Sequence, residues 1–298
     1  MKRKLVRQGH ATLTISLPSK WLKTFNLSAG NEIDMDEEGN QLIISAGKGT
    51  VIEKGALDTS GLGTLLVRCI AAMYKKGYDE ITLNLESPEQ IEKIQELLQK
   101  YFMGFEIVSQ GKSTCTIKTI SKGMEEEFDA LLRRIFLVQK GMGTDFVEAV
   151  KESDYARLKS IRTSEDVNNR LTTICRRVLN KKGKTKNIAF MYGTVEQLEC
   201  IADEYRDLIN YIIGKKPKIG KELMEMFKQI NKMFEMYYEC FYKFDKNTAI
   251  RINEMRATIN AKTDELFAKK LEPKIVHHLK NMANLIGQCL TLKLCMGL

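Results

Sequence analysis

The chain has 298 residues, 47 of them Lys or Arg against 38 Asp or Glu, for a net charge of +9, and 43% are hydrophobic. That length predicts two or three domains, no apolar run approaches the roughly 18 residues of a membrane span, and the N-terminus lacks the apolar core of a signal peptide. A cytoplasmic protein without membrane insertion is expected, and the seven cysteines, with no Cys-x-x-Cys pair among them, read as reduced core thiols and not as a zinc site.

The positive charge is concentrated at the start: Lys2, Arg3, Lys4, Arg7, Lys20 and Lys23 all precede the first acidic residue, Glu32. Ala11, Leu13, Ile15 and Leu17 alternate with Thr12, Thr14 and Ser16, the period of a strand with one buried face. Pro18 ends the strand and opens a short helix to Phe25, with Trp21, Leu22 and Phe25 as its apolar face. Ala29-Gly30-Asn31 and Glu38-Gly39-Asn40 are turns around a strand carrying Ile33 and Met35, and Leu42 and Ile44 form a last strand. A unit of about 45 residues cannot bury enough apolar surface alone, so a homodimer is expected. A two-fold axis would put both basic strands on one side, a field suited to the phosphates of double-stranded DNA.

The run Gly9-His10-Ala11-Thr12-Leu13-Thr14-Ile15-Ser16-Leu17-Pro18, followed by Trp21-Leu22, Leu27, Gly30-Asn31, Ile33 and Leu42-Ile43-Ile44, resembles the AbrB/MazE/SpoVT swapped-hairpin domain over residues 1 to 48. The resemblance implies an intertwined homodimer that binds DNA through basic residues of the first strand and its flanks. Carried over position by position, the contacts would be Lys2, Arg3, Lys4, Arg7, His10 and Lys20. His10 departs from the family, where an arginine often follows the glycine.

Gly47-Lys48-Gly49-Thr50 lacks the first glycine of a phosphate loop and reads as a linker. Residues 51–122 then read as a small α/β module. Leu62, Leu65, Leu66, Cys69, Ile70 and Met73 recur at helical spacing up to Gly77, and Ile81, Leu83 and Leu85 alternate as a strand. Ser87-Pro88-Glu89-Gln90 predicts a helix start with Ser87 and Gln90 forming a capping box, and strands at 105–109 and 114–120 follow around a turn at 110–112. Nothing in the module converges on chemistry.

From Met124 onward the pattern is helical, in six segments at 124–150, 152–180, 187–213, 219–243, 246–271 and 273–296. They form two sets of three and suggest an internal repeat: at an offset of 92 residues Leu158, Val167, Ile174 and Leu179 meet Ile250, Ile259, Leu266 and Leu271, and at 81 residues Ile201-Ala202 meets Met282-Ala283. In the third segment Glu196, Glu199, Asp203 and Asp207 share one helix face. Such a row faces water, meets cations from a neighbouring helix or binds a metal; the solvated face is favoured. A basic group, Arg176, Arg177, Lys181, Lys182, Lys184 and Lys186, reads chiefly as a solvated helix end, with nucleic acid or an acidic partner as alternatives.

The two three-helix units, with Leu198-Glu199-Cys200-Ile201-Ala202-Asp203, resemble the PhoU family, and the resemblance implies Glu199 and Asp203 as ligands of a metal ion such as iron or magnesium. The second unit has Lys280 and Asn284 at the matching places, so half of that set is absent. No cofactor is required by the reading. The fusion is similar to archaeal phosphate-uptake regulators.

The expected fold is multidomain α+β: a swapped-hairpin β dimerisation domain at 1–48, the α/β module at 51–122 and an all-α PhoU-like bundle at 123–298. The expected function is a homodimeric DNA-binding transcriptional regulator of phosphate uptake or phosphate-responsive genes. The alternative is an adaptor that docks on a phosphate transporter or sensor kinase without reading DNA. An enzyme is not expected, because no nucleophile, general base and oxyanion donor can be assembled from these positions.

Overall fold

The computed structural model describes residues 2–46, 52–120, 127–181 and 187–297; the linker expected at 47–50, the helix start at 124 and the basic residues Lys182, Lys184 and Lys186 lie outside them. The chain divides into two compact units, Met1–Glu53 and Lys54–Leu298.

The first unit contains two separate hairpins. β1 (Val6–Gln8) pairs antiparallel with β2 (Thr12–Thr14), and β3 (Asp34–Glu38) pairs with β4 (Gln41–Ser45). Between them lies α1 (Ser19–Thr24), which Pro18 precedes as an extended N-cap residue instead of occupying the first helical position. The strand expected over Ala11–Leu17 is only the short β2, and its partner β1 has too few residues to show a period. No described side chain in this unit is buried, and Leu5, Val6, Leu13, Ile15, Met35 and Leu42 are all exposed. Two-stranded hairpins with open apolar faces are marginal in water.

In the second unit, β5 (Lys54–Asp58), β6 (Glu80–Asn84), β7 (Phe105–Gln110) and β8 (Thr114–Thr119) form one sheet in the order β5-β6-β8-β7, with β5 parallel to β6 and the other pairs antiparallel. The crossover from β5 to β6 runs through α2 (Leu66–Lys76), and Gly77 ends that helix at φ +108° with its N–H on Met73 and Tyr74 carbonyls. α3 (Gln90–Tyr101) starts where the sequence places it, but no side chain caps it. Gln90 Oε1 instead accepts from the Glu86 N–H at 3.0 Å and the Thr59 hydroxyl at 2.7 Å, tying the helix to the sheet end. Leu66, Ile70, Ile81, Leu83, Ile94, Leu98 and Ile117 form the core of this layer.

Six helices follow: α4 (Phe128–Glu152), α5 (Tyr155–Lys181), α6 (Ile188–Lys215), α7 (Lys221–Tyr242), α8 (Lys246–Ala268) and α9 (Pro273–Gly297). They enclose a second core running from Phe128 to Leu290. Asp245 caps α8 by accepting from the Thr248 N–H at 2.7 Å. α4 packs on α7 and α6 on α9, so the first and the third helices of the two sets face one another. Ile201, Ala202, Met282 and Ala283 are buried as the repeat requires, whereas Leu158 is buried and its counterpart Ile250 is 46% exposed. Both the α/β layer and the six helices, each with its own core, belong to the one compact unit Lys54–Leu298.

Candidate nucleic-acid interface

Gly9, at φ +74°, turns the chain between β1 and β2 and puts His10 at the hairpin tip. Arg7 stands opposite Leu13 in the register, so the two share a face, while Val6 stands opposite Thr14, whose hydroxyl donates to the Val6 carbonyl at 3.1 Å. Lys2, Arg3 and Lys4 lead into β1 without regular structure, and Lys20 lies in the first turn of α1. Lys2, Arg3, Lys4, Arg7, His10 and Lys20 are all exposed. Arg7 and His10 lie in one hairpin; Lys20 belongs to a different element. A cationic stretch of this kind, with no acid before Glu32, offers charges to a phosphate backbone, and the forked donors of Arg3 and Arg7 are of the type that can also read a guanine edge.

The carboxylate row of α6 has a different fate. Arg176, from α5, is only 1% exposed, and its guanidinium meets Glu196 Oε2 at 2.5 Å and the carboxylate of Glu199. The Thr172 hydroxyl donates to Glu199 at 2.6 Å. About two turns further along α6, Arg206 reaches Asp203 at 2.5 Å, Glu165 at 2.8 Å and Asp207 at 2.9 Å. The row meets cations from α5 and from α6 itself, while Glu196, Asp203 and Asp207 keep 47%, 39% and 51% of their side-chain surface exposed. Burial, aided by the neighbouring Glu165 and Asp207 carboxylates and opposed by Arg206, pushes the Asp203 carboxyl up to about 6.

One oxygen of each expected ligand is already engaged, Glu199 Oε2 by Arg176 and the Thr172 hydroxyl and Asp203 Oδ1 by Arg206, and among the described residues no three His, Cys, Asp or Glu side chains form a group that could hold a metal ion. Arg206, three residues after Asp203, was the sequence signal for half of this arrangement. Thr172 and Glu165 carried no such signal, because they come from another helix.

Arg176 and Arg177 are buried, not solvated, and Arg177 donates to the Tyr74 and Tyr78 carbonyls at 3.0 and 2.6 Å and to Asp79 at 2.6 Å. Lys181 also reaches Asp79, at 2.7 Å. All seven cysteines are free, and Cys115, Cys175, Cys240 and Cys289 are buried; burial raises the Cys175 thiol to about 12. Among the described residues no helix is long and apolar enough to cross a membrane.

Residues 6–50 match the family described as antidote-toxin recognition MazE, bacterial antitoxin. Among solved structures, the phosphate transport system regulatory protein PhoU from Streptococcus pneumoniae is similar at 12% identity and a TM-score of 0.48, over 58% of this chain and 94% of that one. No curated protein matches the chain. The first unit of the chain is thus a MazE-like domain, joined to a large helical region.

Proposed function

We propose that the chain is a homodimeric DNA-binding transcriptional regulator in which paired MazE-like units hold DNA. One observation carries this reading: the first unit exposes six candidate basic or imidazole side chains together with apolar residues that nothing in that unit covers. A second copy would cover Leu13, Ile15 and Met35, and the same pairing would double the positive field. The resemblance of Leu198–Asp203 to PhoU supports genes of phosphate uptake as the targets, with the helical region as sensor or partner-binding part.

The test is binding of the intact protein and an Arg3→Ala/Arg7→Ala variant to its upstream DNA and to a scrambled duplex across a salt series. Sequence-selective binding that falls steeply with salt and is lost in the variant supports the regulator. Absence of DNA binding at moderate salt overturns it and leaves the adaptor for a phosphate transporter or sensor kinase. Sedimentation gives a second reading: the intact protein is expected at twice the 34.1 kDa chain mass, and Leu13→Asp at the chain mass itself.

A further inference from the structure

Where the two three-helix sets meet, the end of α4, the start of α5, the end of α6 and the start of α7 enclose an open cavity of about 520 Å³. Its apolar floor is Val150, Leu158 and Ile212, all buried, with Tyr155 beside them. Its rim is Lys151, Lys218, Lys221 and Lys228, all exposed, and Glu225 is the one carboxylate in the lining. Among the described residues none of these four lysines forms an ion pair. A solvated face normally mixes the two signs, and four ammonium groups around one cavity repel one another unless an anion sits between them.

We infer that this cavity binds a nucleoside polyphosphate. The spacing of charges selects the anion: Lys221 and Lys228 are seven residues apart on α7, about 10 Å by helical rise, farther than a single phosphate or carboxylate reaches. A chain of two or three phosphates spans it. The partly exposed apolar lining selects the rest of the ligand, because inorganic polyphosphate would leave Tyr155, Ile219 and Met224 wet, whereas a base and ribose would cover them. The volume lies within the range of small-molecule sites. Lysine suits this work, being a flexible point charge that binds phosphate without a fixed geometry. Gly220, the N-cap of α7, brings no side chain to the first N–H groups of that helix, which leaves their approach open.

The inference does not depend on the DNA reading. Calorimetric titration of the full chain with ATP, adenosine and inorganic phosphate tests it. One ATP per chain is expected, with adenosine and phosphate each weaker by at least about tenfold, and binding weakened by salt. The Lys218→Gln/Lys221→Gln variant, altered only at exposed positions, should lose at least about tenfold in ATP affinity, and Glu225→Gln should gain severalfold. Arg3→Ala/Arg7→Ala should bind ATP as the parent does, which separates this site from the N-terminal basic stretch. No ATP binding at low salt, equal affinity in the double lysine variant, or phosphate bound as tightly as ATP would each overturn the assignment.

Discussion

Arg177 of α5 donates to Asp79, which leads into β6, across 98 residues of sequence, at 2.6 Å and with both side chains only 5% exposed. The same guanidinium lies over the Tyr74 ring, 4.9 Å from its centroid, and takes the carbonyls of Tyr74 and Tyr78 at the end of α2. One side chain thereby closes the open end of a helix and joins the α/β layer to the six-helix core.

Removing that side chain leaves the buried Asp79 carboxylate with Lys181 but without its guanidinium, and takes a donor from two carbonyls. Arg177→Ala is expected to cost about 3–5 kcal/mol in urea unfolding, and to speed amide exchange in α2 more than in α9. Lys181→Ala, at a less buried cation with the same partner, should cost about 1 kcal/mol or less. Equal losses in the two variants would contradict a central role for Arg177.

For the carboxylate row, Mg2+ or Fe2+ added to the intact protein should leave Tm unchanged. A metal held by Glu199 and Asp203 would raise Tm by mass action. A rise that Glu199→Gln abolishes would refute the ion-paired assignment. Arg176→Ala should destabilise by about 1–3 kcal/mol, because a buried guanidinium is lost while Glu196 and Glu199 keep some contact with water.

Asp203 sets a pH dependence of unusual sign for a carboxylate. Its folded value of about 6 lies above the ordinary value of 3.8, so between those limits the folded state binds more protons than the unfolded state. The stability it contributes is fully present below the unfolded value and is lost as pH rises toward 6. Urea titrations at stepwise pH across that window should show Asp203→Asn with a flatter fall in stability than the parent. An unchanged slope would mean that burial is not what governs this group.

Two helical glycines should respond oppositely to alanine. A Cβ on Gly143 would come within 2.6 Å of Asn231 Oδ1 and 2.9 Å of the Tyr205 hydroxyl. Asn231 cannot yield freely, since it accepts from Tyr205 at 2.6 Å and donates to the Gly143 carbonyl at 2.5 Å. Gly143→Ala should therefore cost about 1–3 kcal/mol despite the better helix propensity. At Gly287 the obstructing atoms belong to the flexible Arg256 side chain, so Gly287→Ala should be neutral or gain up to about 1 kcal/mol. Thermal melts of the two variants decide the contrast.

The sequence alone determined the six long helices, the three strands β6, β7 and β8, the basic start and the stop at Gly77. Those features live in neighbours a few residues apart, as apolar period, turn residues and local charge. It did not determine β5, because Lys54-Gly55-Ala56-Leu57-Asp58 has no strand period of its own and is a strand only by pairing with β6. Gly55 is there for a tertiary reason: a Cβ would stand 2.5 Å from the end of Met73 and 2.9 Å from the Tyr78 ring.

The tertiary structure also decided which charges are solvated. Arg176 and Arg177 look like a soluble helix end in a one-dimensional reading, but the docking of α5 against α6 and α2 buries both on carboxylates and carbonyls far away in the chain. Helical period places Glu199 and Asp203 on one face; it cannot say what stands opposite. Local preference fixes where a helix begins and which residues share a side, while the partner of a charge follows from which elements pack together.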